Sequence, residues 1–174
     1  MKMQKSFLVA LLPLLALAQP AAAQMENFKT GPVFEDFGAT APVQMDEPVA
    51  KDTLFNIAFD VSTAADPDKI NRTIESAARF INMHASKGVD PENIRIAMVV
   101  HGGAVKDLLA SEDNPSREMV QQLLDYGVRF IVCGQSAAGQ GIAQDDLIPG
   151  VEMALSAMTA HALLQQRGYT VNPF

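Results

Sequence analysis

From Thr53 onward, short apolar segments alternate with segments whose apolar residues recur every three or four positions. Three apolar segments, at residues 53–61, 93–100 and 128–132, have the length of buried strands, and shorter ones occur at 151–155 and 169–172. A chain that alternates strands and helices joins parallel strands through helical crossovers. The alternation therefore predicts an α/β fold class, with a mostly parallel sheet of about five strands covered on both faces.

Proline and small polar residues predict where the helices begin. Asp66-Pro67 offers an N-cap followed by proline, which predicts a helix that runs to Gly88. Asn114-Pro115 predicts a second helix that ends near Gly127. A short helix is expected at 105–110 and a last one at 157–167.

The first 23 residues have the features of a cleavable secretory signal peptide. Two lysines precede an apolar run, and Ala21-x-Ala23 places small residues where signal peptidase cuts, before Gln24. We therefore expect an exported protein, periplasmic or extracellular, with no membrane association after cleavage. Loss of Lys2 and Lys5 lowers the formal net charge from -7 to -9.

Residues 24–50 differ in character from the rest of the chain. They contain three prolines and no sustained helix or strand period, which predicts an irregular N-terminal arm before a single domain at 51–174. The arm also carries Phe28, Phe34 and Phe37. These aromatic residues predict that the arm packs on the domain or on a neighbouring subunit.

Composition argues against two classes of ligand. The chain is acidic and has no cluster of lysine and arginine, so nucleic acid is not an expected partner. The three histidines are widely separated in sequence, and one cysteine cannot build a structural zinc site. We expect neither a metal nor another cofactor.

Chemically active side chains follow two of the predicted strands. His101-Gly102-Gly103 comes after the second strand, and the third strand leads into Cys133, Gln135 and Ser136. Open parallel sheets place their sites outside the carboxyl ends of the strands. If the two strands are neighbours, His101 and Cys133 share one site.

Cys133 is the only cysteine in the chain and cannot form an internal disulfide. It is either a small buried apolar residue or a free thiol kept for chemistry. Backbone N–H groups at the strand end would lower the thiol pKa, and His101, Gln135 or Ser136 would add an ion pair or a hydrogen bond.

Two other interpretations remain open from the sequence. Residues 134–138 approach the G-x-S-x-G elbow of serine hydrolases, with Ser136 as nucleophile and with Asp145 or Asp146 and His161 following in hydrolase order, although the last glycine is missing. Alternatively, Gly102-Gly103 and the loop around Gly139 form a non-enzymatic module that binds a small anion or supports assembly.

The order of these elements resembles the DsrE/DsrF-like family over about residues 53–174. The resemblance rests on the strand-end motifs, which are His101 to Val105, the third strand ending in Cys133, Leu-x-Pro-x-Val-x-Met at 147–153 and Gln-Gln-Arg-Gly-Tyr at 165–169. It implies a compact α/β/α layered domain, assembly as a trimer or hexamer, and a persulfide-carrying role for Cys133 opposite a sulfur-donor or sulfur-acceptor protein. Well-understood relay members work in the cytoplasm, which sets this exported chain apart.

Overall fold

A computed structural model describes residues 26–172 of the protein. The predicted signal peptide lies outside these residues, and its export role stays a prediction. Among the described residues, no helix has the length and apolar character needed to cross a membrane.

Five parallel strands form a single sheet, so the predicted α/β class is confirmed. The spatial order of the strands is β4-β3-β2-β1-β5. The strand that begins the sequence order therefore lies next to the last one, while β2 and β3 are central neighbours. The bounds are Phe55–Val61 (β1), Ile94–Val100 (β2), Arg129–Cys133 (β3), Glu152–Ala154 (β4) and Thr170–Asn172 (β5).

Four α-helices connect the strands, together with three short 3-10 segments. The α-helices are Arg72–Ala85 (α1), Arg117–Tyr126 (α2), Gly134–Gly139 (α3) and Ala157–Gln166 (α4). The 3-10 segments are Pro91–Asn93, Gly102–Leu108 and Gln144–Asp146. The short helix expected at 105–110 is therefore a 3-10 segment that begins earlier, directly after His101.

Both predicted helix starts were placed too early in the sequence. The side chain of Asn71, not that of Asp66, caps α1 by accepting from the N–H groups of Thr73 and Ile74. Asn114 stabilises the preceding turn instead of opening α2, because its amide group donates to the carbonyl oxygens of Asp107 and Leu109.

The two faces of the sheet are covered unequally. The larger core lies on one face, where α1, α2 and α3 pack against alternate strand residues such as Phe59, Met98 and Val132. The smaller core lies on the other face, where α4 covers the remaining alternate positions; its fully buried members are Ala58, Ala97, Val99, Ile131, Ala160 and Leu164. This second face carries the site described below.

The arm is held on the domain by side chains of α1. Residues 26–50 form no helix and only one isolated bridge, between Lys29 and Thr40. Phe34 is buried in the larger core, whereas Phe28 is exposed. Asn82 of α1 is fully buried and hydrogen-bonds both donors and acceptors of the arm backbone.

Candidate functional site

Strand register brings three polar side chains to the face that α4 covers. Successive residues of a strand point to opposite faces. Cys133 lies two residues after Ile131 and Asp60 two after Ala58, and both of these apolar residues pack under α4. His101 follows Val100, which pairs with Val132 next to Cys133. The three side chains therefore lie at the carboxyl ends of adjacent strands, on one face.

These side chains line a common cavity of about 360 Å³. The lining comes from β1, β3, α3, α4 and the residues between them, and consists of Asp60, His101, Cys133, Gln135, Ser156, Ala157, Met158 and His161. A second cavity, of about 460 Å³, lies against the N-terminal arm and contains neither cysteine nor histidine among its lining residues. Within residues 26–172, no cluster of histidine, cysteine and carboxylate side chains has the geometry of a metal site.

The environment of Cys133 favours a thiolate. The residue is only 6% exposed, and burial by itself raises the pKa of a thiol. Hydrogen bonding from the hydroxyl group of Ser136 and from the backbone N–H groups of Ser136, Ala157 and Gln135 acts in the opposite direction and outweighs the burial effect, so the pKa of Cys133 lies below its ordinary value.

Two chain segments supply these donors. Cys133 occupies the N-cap position of α3, which provides the N–H groups of Gln135 and Ser136. Ala157 is the first residue of α4. The groups that lower the thiol pKa therefore come from the first turns of two helices, where N–H groups without intrahelical partners stabilise negative charge.

Ser136 links the cysteine to the glycine motif. Its Oγ accepts a hydrogen bond of 3.0 Å from the N–H group of Gly102, and its hydroxyl group also lowers the pKa of Cys133. The Gly102 N–H group is thus engaged within the protein. The φ angle of Gly102 is +55°, and a Cβ atom there would lie 2.9 Å from the carbonyl oxygen of Ser62, so the turn requires glycine.

Asp60 joins two histidines on the other side of the cavity. Nε2 of His161 lies 2.7 Å from Oδ1 of Asp60, and Nε2 of His101 lies 3.1 Å from Oδ2. Burial acts to raise the pKa of Asp60, but the hydrogen bonds and charge of the two imidazoles outweigh it and lower that pKa. Asp60 therefore remains a carboxylate at neutral pH.

The structure brings most of the expected residues together. His101, Cys133 and Gln135 line the cavity, while Ser136 and Gly102 lie directly behind the sulfur. Gln135 and Ser136 lie on the short helix α3, directly after the third strand. Gly103 is not among the cavity residues; its nearest neighbours belong to Ala64 and Ser62.

Sequence reasoning missed Asp60 as a site residue. The signal was present, because Asp60 is the only charged residue in the apolar segment 53–61. A charge near the end of a strand that is otherwise apolar indicates a partner or a function. The partners, His101 and His161, are distant in sequence and become neighbours only through the fold.

The hydrolase arrangement is not assembled. His161, expected as the base for Ser136, instead hydrogen-bonds Asp60. Asp146, one of the two acids proposed to orient that base, accepts a hydrogen bond from the backbone N–H group of Ala143 and closes a local turn. Asp145 and Asp146 therefore do not form a triad with Ser136 and His161.

Replacing Ser136 with alanine is expected to slow alkylation of Cys133 by iodoacetamide at neutral pH by roughly tenfold. The variant removes a hydrogen bond to the charged sulfur, and such bonds contribute about 1.5–3 kcal/mol. The thiol pKa therefore rises, and the reactive fraction at neutral pH falls. The pH profile of alkylation measures this directly, with Ser86→Ala, an exposed serine at the end of α1, as the control. An unchanged profile would show that the backbone N–H groups alone set the thiol pKa.

Fold and site together define a class of protein. It is a small α/β protein with a parallel sheet and one cysteine at the end of a strand, where neighbouring polar groups lower the thiol pKa. The sequence profile of the DsrE/DsrF-like family matches residues 56–173. The chain belongs to this family.

Solved structures support the fold assignment. A protein of unknown function from Methanobacterium thermoautotrophicum is 24% identical, with a TM-score of 0.55, over 69% of this chain and 99% of that one. The ychN protein from E. coli is 19% identical, with a TM-score of 0.52, over 70% of this chain and all of that one. At this level of identity the likeness concerns the fold. No curated protein matches the chain in sequence.

Proposed function

We propose that this protein is an exported sulfur carrier that holds sulfane sulfur as a persulfide on Cys133. The observation that carries the proposal is the environment of the cysteine. Four hydrogen bonds lower the thiol pKa while the sulfur lines a cavity that also contains two histidines. Membership of the DsrE/DsrF-like family, which includes sulfur-relay subunits, supports the same role.

The chemistry of sulfur transfer requires these features. A thiolate, not a thiol, attacks sulfane sulfur, so the lowered pKa of Cys133 raises the reactive fraction at neutral pH. The product is also an anion near neutral pH, and the same N–H donors stabilise it. A low exposed fraction protects a persulfide from solvent, which extends its lifetime between donor and acceptor.

The surroundings of the cavity favour a protein as donor or acceptor. Leu155 is 72% exposed and Met158 is 81% exposed, and both lie within three residues of Ala157, whose N–H group binds the sulfur. Exposed large apolar side chains around a reactive group are typical of a docking surface. We therefore assign this rim to a sulfur-donor or sulfur-acceptor protein that brings its own cysteine to Cys133.

Export and assembly complete the proposal. The predicted signal peptide directs the carrier to an oxidising compartment, where an exposed thiol is capped or paired. Burial of Cys133 reduces that loss. The trimer or hexamer that the family resemblance implies remains a prediction.

Mass spectrometry tests the proposed function. Full-length reduced protein is mixed with freshly prepared glutathione persulfide, desalted, alkylated and digested. We expect the peptide that contains Cys133 to gain the mass of one sulfur atom, and reductant to remove it. Release of this sulfur to a thiol acceptor, measured as sulfide after reduction, shows that the persulfide is transferable.

Cys133→Ser is the matched control and is expected to take up no sulfur. If wild-type Cys133 reacts with iodoacetamide but never acquires sulfur from the donor, the carrier role is wrong. A non-enzymatic binding module would then become the better interpretation of the same cavity.

A further inference from the structure

Asp60 is a carboxylate that two histidines share. Oδ1 lies 2.7 Å from Nε2 of His161 and 3.2 Å from Nε2 of His101, and Oδ2 lies 3.1 Å from the same nitrogen of His101. The three residues come from β1, the turn after β2 and α4. A carboxylate that accepts from Nε2 fixes the ring orientation and leaves Nδ1 as the remaining functional atom of each imidazole.

The two histidines differ in the surroundings of Nδ1. Nδ1 of His161 is buried and has no hydrogen-bond partner in the described part of the protein. His161 therefore contacts Asp60 through Nε2 and makes no second hydrogen bond in the described part of the protein. The side chain of His101 is 31% exposed, and its Nδ1 is not among the buried unpaired atoms.

We propose that His101 is the general acid of sulfur transfer at Cys133 and that Asp60, held in place by His161, is its positioning residue. This inference rests on the proposed carrier function. It assigns the proton that the leaving thiolate takes up to His101, a residue that lines the same cavity as Cys133. Asp60 acts only through His101, by orienting the ring.

The transfer step balances as follows. The thiolate of Cys133 attacks the outer sulfur of a donor persulfide R–S–SH, so a new S–S bond forms to Cys133 while the donor S–S bond breaks. The donor sulfur leaves as R–S⁻ and takes a proton from His101, giving R–SH and neutral imidazole. Cys133 becomes the persulfide Cys133–S–SH, which then releases its outer proton to solvent to give the anion; the cysteine sulfur is oxidised while the donor is reduced to a thiol.

No other charged group competes for this role among the residues described around the cavity. Its titratable lining consists of Asp60 from β1, His101 after β2, Cys133 from β3 and His161 from α4. Neither lysine nor arginine lines it. The hydrogen bonds that lower the pKa of Cys133 come from Ser136, Ala157 and Gln135, and His101 is not among them. Loss of His101 should therefore weaken proton delivery more than thiolate formation.

Two reactions of the same cysteine separate these effects. Alkylation by iodoacetamide releases iodide, which needs no proton, and so measures the thiolate alone. Sulfur uptake from glutathione persulfide releases a thiolate that does need one. We expect His101→Gln to slow sulfur uptake by about a hundredfold, as is usual for loss of a general acid. Alkylation should stay within about threefold of the wild-type rate, because the four hydrogen bonds to the sulfur remain.

Asp60→Asn tests positioning by comparing the two reactions. A general acid acts only while it carries its proton, so wild-type sulfur uptake should decline on the alkaline side while alkylation continues to rise to a plateau. Without the carboxylate the imidazole ring is no longer held in place, so we expect Asp60→Asn to slow sulfur uptake by about tenfold while alkylation stays near the wild-type rate. In His101→Gln the alkaline decline should be absent.

His84→Gln is the matched control, because His84 bonds the backbone oxygen of Phe80 and does not line the cavity. Equal loss of both reactions in His101→Gln, or unchanged sulfur uptake in Asp60→Asn, would overturn the inference while leaving the carrier role standing. Absence of sulfur uptake by wild-type protein that alkylates normally would instead remove the carrier role itself.

Discussion

Asn82→Ala is expected to lower the free energy of unfolding by about 3 kcal/mol, because the variant leaves several buried groups without partners. Asn82 is 0% exposed. Its Oδ1 accepts from the N–H groups of Val33 and Phe34, and its Nδ2 donates to the carbonyl oxygens of Phe34, Phe37 and Gly38. One side chain thus satisfies five backbone groups of the arm.

The loss of stability in Asn82→Ala has an upper limit, because the arm can detach from α1 and hydrogen-bond to water instead. The decrease in the free energy of unfolding then equals the free energy that holds the arm in place. Release also exposes Phe34, which is buried in the larger core. We therefore expect urea unfolding at a lower midpoint, together with faster proteolytic cleavage within residues 26–50.

Ser76→Ala on the same helix is the matched control. Its hydroxyl group makes only a local hydrogen bond to the carbonyl oxygen of Arg72. We expect its stability to stay within about 0.5 kcal/mol of the wild type, as is usual for surface changes. If Asn82→Ala unfolds like this control and its arm resists protease equally, then Asn82 does not hold the arm.

The strands of the central sheet could be predicted because their residues are continuously apolar. β1 and β2 lie within the segments predicted at 53–61 and 93–100, and β3 extends one residue beyond the segment predicted at 128–132. Strands that are buried on both faces cannot alternate polar and apolar residues, so composition alone marks them. That β2 and β3 are neighbours was only a condition for a shared site, and the sheet meets that condition.

The helix starts and the contacts between Asp60 and His161 depend on residues that are distant in sequence. Asn71 caps α1 although Asp66-Pro67 has the stronger local pattern, because Asn71 also donates to Asp107, 36 residues away. His161, considered only as a base for Ser136, lies 2.7 Å from Asp60, which is 101 residues earlier in the sequence. A local pattern can mark Asp60 as unusual, but it does not identify a partner so distant in sequence.

Gly134→Ala is expected to damage both stability and reactivity, because the backbone of β4 passes directly over Gly134. A Cβ atom on this residue would lie 2.7 Å from the carbonyl oxygen of Ala154 and 3.5 Å from that of Leu155. Both contacts are with backbone, which cannot move aside as a flexible side chain would. We expect the free energy of unfolding to fall by about 2 kcal/mol, which is typical of overpacking at a close contact.

Reactivity should fall because Ala154 leads directly into the first turn of α4. Displacing Ala154 moves the N–H group of Ala157 away from the sulfur, so the pKa of Cys133 rises. Alkylation by iodoacetamide at neutral pH should therefore slow by several-fold. At alkaline pH the rate should return to that of the wild type, because the thiol then ionises without the N–H group of Ala157. Thermal unfolding and the pH profile of alkylation measure the two effects separately.

Gly139→Ala is a stringent control, since it makes the same chemical change in the same short helix. A Cβ atom there meets no atom within 4 Å, and the backbone of Gly139 is not in the left-handed region. Alanine also costs less backbone entropy on folding than glycine, so this variant should gain up to about 1 kcal/mol and keep wild-type alkylation. If Gly134→Ala behaved like Gly139→Ala, the backbone of β4 could move away from Gly134 at little cost in stability. The pKa of Cys133 would then not depend on the close approach of β4, and β4 would not hold the N–H group of Ala157 in place.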